Sequence, residues 1–364
     1  MTIWRKTACR ADLLAAAIAC TVLGGTAQAQ SQEEILNYMD ADREAFLLRG
    51  AEAEGALTIY SAMIVDQALQ PLTKAFMDKY PGIRVEYWRG DSEDIAQRVL
   101  TEMRAGNVVA DVVEGTSVSV NLIKAGVSQK FDSPLLAEYP EAYRDPDHLW
   151  AATRISYYCI AYNTDEVSAE ELPKTYDDLL DPKWKGQFAW RIGSESGTPL
   201  FITNLRTAWG EEKADEYLQK LAAQEVVNFG AGSARTLVDR VIAGEYLFAL
   251  NIFCHHPLIS KAQGAPVDSL ELDPVVSTTA TLLIPKNIRH PYAAALFTDF
   301  LLSTDGQKIL LGADYFPAHP DVQPSDMLAP IVPATAEVSE NFVRPEALVS
   351  NGEESDRIYQ EYFR

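Results

Sequence analysis

The chain of 364 residues predicts an α/β fold built as two lobes, and three features carry that expectation. Short apolar runs alternate with stretches of helical periodicity, the signature of mainly parallel sheets flanked by helices. A long β-rich segment, Trp150 to Tyr162, interrupts the alternation, which then restarts as a second set. A late strand, Val275 to Ile284, leads back toward the first set, so extended crossings hinge two lobes over a cleft.

The elements follow in order. Arg5, Lys6 and Arg10 precede an apolar run from Leu13 to Leu23 and the small-residue stretch Ala27-Gln28-Ala29. That order predicts a secretory leader cut after Ala29. The run falls short of the roughly 20 apolar residues needed to cross a bilayer. Cys20 would suit a lipid anchor, but Ala17 stands where such leaders carry Leu, so secretion is expected. Residues 31 to 54 read as one helix ending at Gly50 and Gly55.

Leu57 to Tyr60 is the first strand, and Leu69, Leu72, Phe76 and Tyr80 mark a helix face stopped by Pro81-Gly82. Ile83 to Trp88 is the second strand, followed by a helix capped by Asp91. Asp111-Val112-Val113 opens the third strand, and Val118 to Lys124 is a short helix stopped at Gly126. After the crossing and a linker at Thr164 to Pro173, strands are expected at Gln187–Ile192, Val226–Phe229 and Tyr246–Phe253. Helices are expected at Pro199–Trp209, Glu212–Ala223, Ser233–Ala243 and Pro291–Leu302, with an acidic helical tail. The boundaries are then a leader at 1–29, a helical segment at 30–54, a first lobe at 55–155 plus 275–322, and a second lobe at 156–274 plus 323–364.

The net charge is −21, and the leader is itself net basic, so the remainder is more acidic still. Such a surface argues against nucleic acid or an anionic membrane as partner, while leaving room for a basic pocket. No GxSxG, phosphate loop, GxGxxG or HExxH occurs in context, so no catalytic residues and no cofactor are expected.

Candidate ligand contacts cluster where strands give way to helices. Asp91-Ser92, Thr116-Ser117, Ser194 to Thr198 with Ser196 and Gly197, and Gly230 to Ser233 place small hydroxylated residues before helices. Free N–H groups and the helix dipole favour an anion there, although each junction alone is also an ordinary helix cap. Arg89, Arg154 and Arg191 are the adjacent cations, with surface ion pairing as their plain alternative. Tyr60 with Ser61, Trp88, Tyr157, Tyr158, Trp190 and Asn251 stand on the strands leading to these junctions, where aromatics wall pockets or simply pack. Cys254, His255 and His256 are the densest metal-competent run, but only five histidines exist and no HxxxH or CxxC accompanies them. Read as extended chain, Cys254 and His256 share a face and His255 points away. Polar cleft lining is preferred to a metal site. Whether Cys159 and Cys254 bond, or remain separate thiols, is left open by sequence.

The chain resembles the periplasmic solute-binding proteins of bacterial ABC importers, in the branch that includes ferric-binding proteins. The resemblance rests on Asp42-Arg43-Glu44, Glu54 to Ser61, Tyr80-Pro81-Gly82-Ile83, Ala110 to Val113, Tyr162-Asn163-Thr164, Leu180 to Gly186 and Asp305-Gly306-Gln307. It implies the type II periplasmic-binding-protein fold, a ligand clamped between lobes, delivery to an inner-membrane permease by a monomer, and no catalysis. Ferric members use paired tyrosines, a His and an acid. By the same resemblance the tyrosine positions fall on Cys254 and His255, the His position on Met63 or Ile64, and the acid position on Thr116 or Ser117 with Glu114 displaced. The expected ligand is therefore a small organic anion, with ferric or another metal ion, completed by a synergistic anion, as the alternative.

Overall fold

The computed structural model describes Met1 and residues 30–192, 196–230 and 232–364. The expected leader and Ser194 lie outside the described residues. Met1–Ser31 separates as a unit of its own, and Gln32–Arg364 forms the folded unit.

Among the described residues twelve strands join one sheet system: β1 Ala56–Ser61, β2 Arg84–Arg89, β3 Val112–Gly115, β4 Ser128–Gln129, β5 Ala151–Asn163, β6 Phe188–Trp190, β7 Val227–Asn228, β8 Phe248–Phe253, β9 Val267–Leu270, β10 Val275–Pro285, β11 Phe316–Pro317 and β12 Glu340–Phe342. The main order is β2-β1-β3-β10-β5-β8-β6-β7. At one end β2 and β3 flank β1 in parallel, and at the other β7 and β8 flank β6 in parallel. Between them β5 and β10 run antiparallel over most of their length. These are the two extended crossings, and each half keeps its own apolar core. Phe76, Trp150 and Phe297 fill the first, while Phe188, Trp190, Phe201 and Phe248 fill the second.

Every residue of β5 and β10 is buried, so their threonines turn to backbone carbonyls for partners. Thr278 donates to the Val343 carbonyl at 2.8 Å and Thr279 to the Arg154 carbonyl at 3.0 Å. The ladder slips at Ala280/Thr281, where a bulge re-aims the strand beside Arg154.

The helices at Val118–Lys124 and Pro291–Leu302 match their expected bounds. The expected helix over 31 to 54 is two: Gln32–Leu36 and Arg43–Glu54. Tertiary contacts make the break. The buried Arg43 guanidinium donates to Asp299 at 2.7 Å, to the Asp132 carbonyl at 2.9 Å and to the Tyr38 carbonyl, which the intervening turn presents. Asp91 holds the cap position of Ser92–Arg104 without its side chain capping it; the carboxylate pairs with Arg89 at 3.1 Å instead. Strand β9 was not expected. Pro199 and Pro257 suit a first helical position, and the structure puts them second in Thr198–Trp209 and third in His255–Ala262. The acidic tail forms the helix Pro345–Tyr362, whose Ile358 and Tyr359 join the second core.

Candidate functional site

The parallel strands β1 to β3 of one half and β6 to β8 of the other end at one cavity of about 260 Å³. Ala62 and Ile64 follow β1, Arg89 ends β2 and Asp91 to Glu93 follow it, and Thr116 and Ser117 follow β3. From the other half come Arg191 and Ser196 after β6, Ser233 and Arg235 after β7, and His255 and His256 after β8. Arg154 and Ser156 of β5 form the floor, with Tyr315 and Phe316 beside them. This is where open parallel sheets hold ligands. A larger hollow of about 730 Å³ runs along Glu141 to His148 and Asn341 to Ala347, away from those strand ends. Its Arg344 is already spent on the carbonyls of Glu141, Ala142 and Arg144.

Helices begin at the cavity after Asp91, Ser117, Gly197, Ser233 and Cys254. Ser233 caps its helix, accepting from the Thr236 N–H at 3.1 Å. Four arginines line the cavity against two carboxylates, Asp91 and Glu93, so a strongly acidic chain carries a net positive cleft. Arg89 pairs with Asp91, and Arg235 reaches Asp239 at 3.3 Å. Arg191 donates its Nε–H to the Gly232 carbonyl at 3.0 Å. Arg154 is buried, lies over the Tyr315 ring at 4.6 Å and pairs with Glu114 beneath the floor.

His255 and His256 meet ring to ring at 4.5 Å. Burial, then His256 and Arg154, hold His255 far below the ordinary imidazole range. Burial, then Arg235 and Arg191, push His256 down to about 3. Both are neutral at pH 7 and offer hydrogen bonds rather than charge. Acid protonates these imidazoles in the unfolded chain, whose pKa is about 6.5, before the folded one, so stability is full above that value and falls as pH drops toward the folded pKa. Between pH 6.5 and 5.5 His256 is expected to cost about 1 kcal/mol, removed in His256→Gln and read by urea unfolding at the two pH values. Equal pH slopes for both proteins would refute this.

Of the sequence candidates, Arg89, Asp91, Ser92, Thr116, Ser117, Arg154, Arg191, Ser196, Ser233, His255 and His256 line the cavity. Tyr60 and Trp88 do not. Tyr60 is buried, donates its hydroxyl to Glu102 at 2.6 Å and meets the Trp88 ring edge-on at 5.3 Å, with Arg98 stacked against both. Ser61 faces inward and donates to Glu114 at 2.6 Å. Tyr157 sits against Phe316 at 4.9 Å, leaving the floor to its neighbours. Trp190 is inside the second core, its indole donating to Asn228 at 2.8 Å. Asn251, in the left-handed region at φ 54, holds the junction from behind by donating to the Ser196 and Gly197 carbonyls at 3.0 and 2.9 Å.

Cys254 and His256 do not share a face. The chain turns helical at His255, so strand alternation fails there; Cys254 is buried beside Cys159 while both histidines reach the cleft. Among the described residues no three His, Cys, Asp or Glu donors converge in the cleft. Glu114, the acid nearest the expected ferric position, is taken by Arg154, Ser61 and Thr153. Sequence reasoning missed Arg235, Ser156 and Tyr315. Arg235 stands two residues after the Ser233 cap, a usable signal; Tyr315 arrives from a remote segment and gave none.

A family model for bacterial extracellular solute-binding proteins matches residues 109–332. The Fe(3+)-binding periplasmic protein of Serratia marcescens is 24% identical over 280 residues, 73% of this chain and 79% of that protein. The crystal structure of iron-bound HitA from Pseudomonas aeruginosa superposes with a TM-score of 0.71 at 23% identity, covering 84% of this chain and 99% of the other. The periplasmic binding protein AfuA from Actinobacillus pleuropneumoniae, with exogenous fructose-6-phosphate bound, gives 0.70 at 21% identity, covering 85% and 98%. These likenesses identify the fold as that of type II periplasmic binding proteins.

Proposed function

Since the chain belongs to the bacterial extracellular solute-binding proteins, the non-enzymatic, substrate-binding components of ABC importers, we propose that its cleft captures a small organic anion outside the cytoplasm. The lobes, 55–155 with 275–322 and 156–274 with 323–364, close about β5 and β10 as a monomer, and the closed form is read by an inner-membrane permease. The leader at 1–29 carries the chain to the periplasm. Among the described residues no helix is long and apolar enough to cross a membrane.

One observation carries the ligand class: four arginines and several helix N-termini surround a cavity whose histidines are held neutral. That arrangement suits carboxylate, phosphate or phosphonate oxygens. At about 260 Å³ the cavity suits a solute of a few carbons. Arg89, Thr116, Ser117, Arg191, Ser196 and His255 make the contacts. An anion at about ten times its Kd is expected to add about 1.4 kcal/mol of stability, read as a rise in Tm across a panel of dicarboxylates, phosphonates and sugar phosphates. A panel that leaves Tm unmoved rejects the reading.

A second reading, ferric ion, is favoured by the names of the Serratia and Pseudomonas proteins, and those likenesses weigh more toward iron than toward a free anion. Hard Fe(III) wants anionic oxygen. In this cleft it fits best when a synergistic anion, held by the arginines, completes its coordination. Stoichiometric iron in protein purified without chelator, with no Tm response to any anion alone, would establish it over the first.

A further inference from the structure

Behind the cleft wall, the middle of β5 and the ends of β8 and β9 bring two thiols and a carboxylate together. Cys159 lies on β5, Cys254 follows β8, and Glu271 follows β9, which pairs Leu270 with Ile160 of β5. One ligand atom from each lies within 4.8 Å of the others. Both cysteines are buried, at 5% and 0% exposure, and Glu271 Oε1 is buried without a hydrogen-bond partner. Buried polar atoms are normally partnered, so a carboxylate with one unpartnered buried oxygen, placed beside two thiols, wants a cation.

We propose that Cys159, Cys254 and Glu271 form a second site, distinct from the cleft, for a thiophilic d10 metal ion of the zinc class. Metal–sulfur bonds of about 2.3 Å and a metal–oxygen bond of about 2.1 Å, set tetrahedrally, space the donors about 3.5–4 Å apart, within the observed spread. The fourth position is left to water. Binding releases the two thiol protons and needs no oxidant. The structure holds both cysteines as free, buried thiols. Soft sulfur donors also disfavour Fe(III), which separates this site from any ferric cargo. The ion braces Cys254, the residue from which the helix carrying His255 and His256 starts, against the crossing strand β5.

The test is a titration of reduced, chelator-stripped protein with Cd²⁺, followed by its ultraviolet thiolate-to-metal absorption and reversed by Zn²⁺. The expected result is saturation at one equivalent, loss of the absorption in Cys159→Ser, and at least tenfold weaker binding in Glu271→Gln, which keeps both thiols and guards against misfolding of the Ser variant. Arg191→Ala should bind cadmium normally, whatever becomes of the cleft ligand. No absorption at one equivalent, unchanged affinity in Glu271→Gln, or a purified chain two hydrogens lighter than the reduced form would overturn the proposal.

Discussion

Replacing Glu114 with Ala is expected to lower folding stability by about 3–5 kcal/mol, seen as a drop in urea midpoint at constant slope. The carboxylate is 1% exposed and accepts from Ser61 at 2.6 Å and Thr153 at 3.2 Å besides its pairing with Arg154. Arg154 is itself only 6% exposed. Removing the acid strands a guanidinium in a poorly solvated floor, and the cost is that of an uncompensated buried charge more than of a lost contact. The Glu114→Ala, Arg154→Met pair should recover most of the loss, because replacing both partners removes the stranded charge. A single variant within 1 kcal/mol of the parent, or a double variant no better than the single, would contradict the account.

The same pair shows where sequence legibility ended. The order of strands and helices was readable because their periods differ and because Pro291, Gly126 and Pro81-Gly82 punctuate them. The lobe crossings were readable because β5 and β10 are too long and too β-rich for anything else. Which junctions meet was readable too, since parallel strands of both halves end on one side. What each side chain does at those junctions was not. Sequence places Glu114 displaced from the ferric acid position but does not say where it goes; the alternation of β3 and the approach of β5 bring Arg154 onto it. Tyr60 and Trp88 read as pocket walls, yet Glu102 and Arg98 of the following helix draw them aside. Tyr315 reaches the floor from more than 150 residues beyond Arg154 in sequence, a contact no local pattern encodes. The Cys254 run was misread for a local reason: a helix starting at His255 replaces a period of two with one of 3.6.

Arg191→Ala should weaken binding of the proposed anion by about 1.5–3 kcal/mol, roughly 10- to 150-fold in Kd, as expected for a hydrogen bond to a charged group. The residue follows β6 directly, and its backbone is fixed because the Arg191 carbonyl accepts from the Thr198 N–H at 3.0 Å and from the Thr198 hydroxyl at 2.7 Å. Its Nε–H is occupied by the Gly232 carbonyl, which orients the guanidinium plane at the cavity edge. Among the described residues no carboxylate pairs with it, whereas Arg89, Arg154 and Arg235 each have one. Among the described residues the charge of Arg191 is thus the one least compensated before ligand arrives. Arg235→Ala should cost less, since Asp239 already shares its charge. Arg191→Lys should restore only part of the affinity, because an ammonium cannot offer the planar fork to a carboxylate or phosphate. Calorimetric titration with whichever anion raises Tm decides the matter. Equal affinities for parent and Arg191→Ala, with Arg235→Ala the weaker binder, would move the anion's anchor from β6 to the helix Ala234–Ile242.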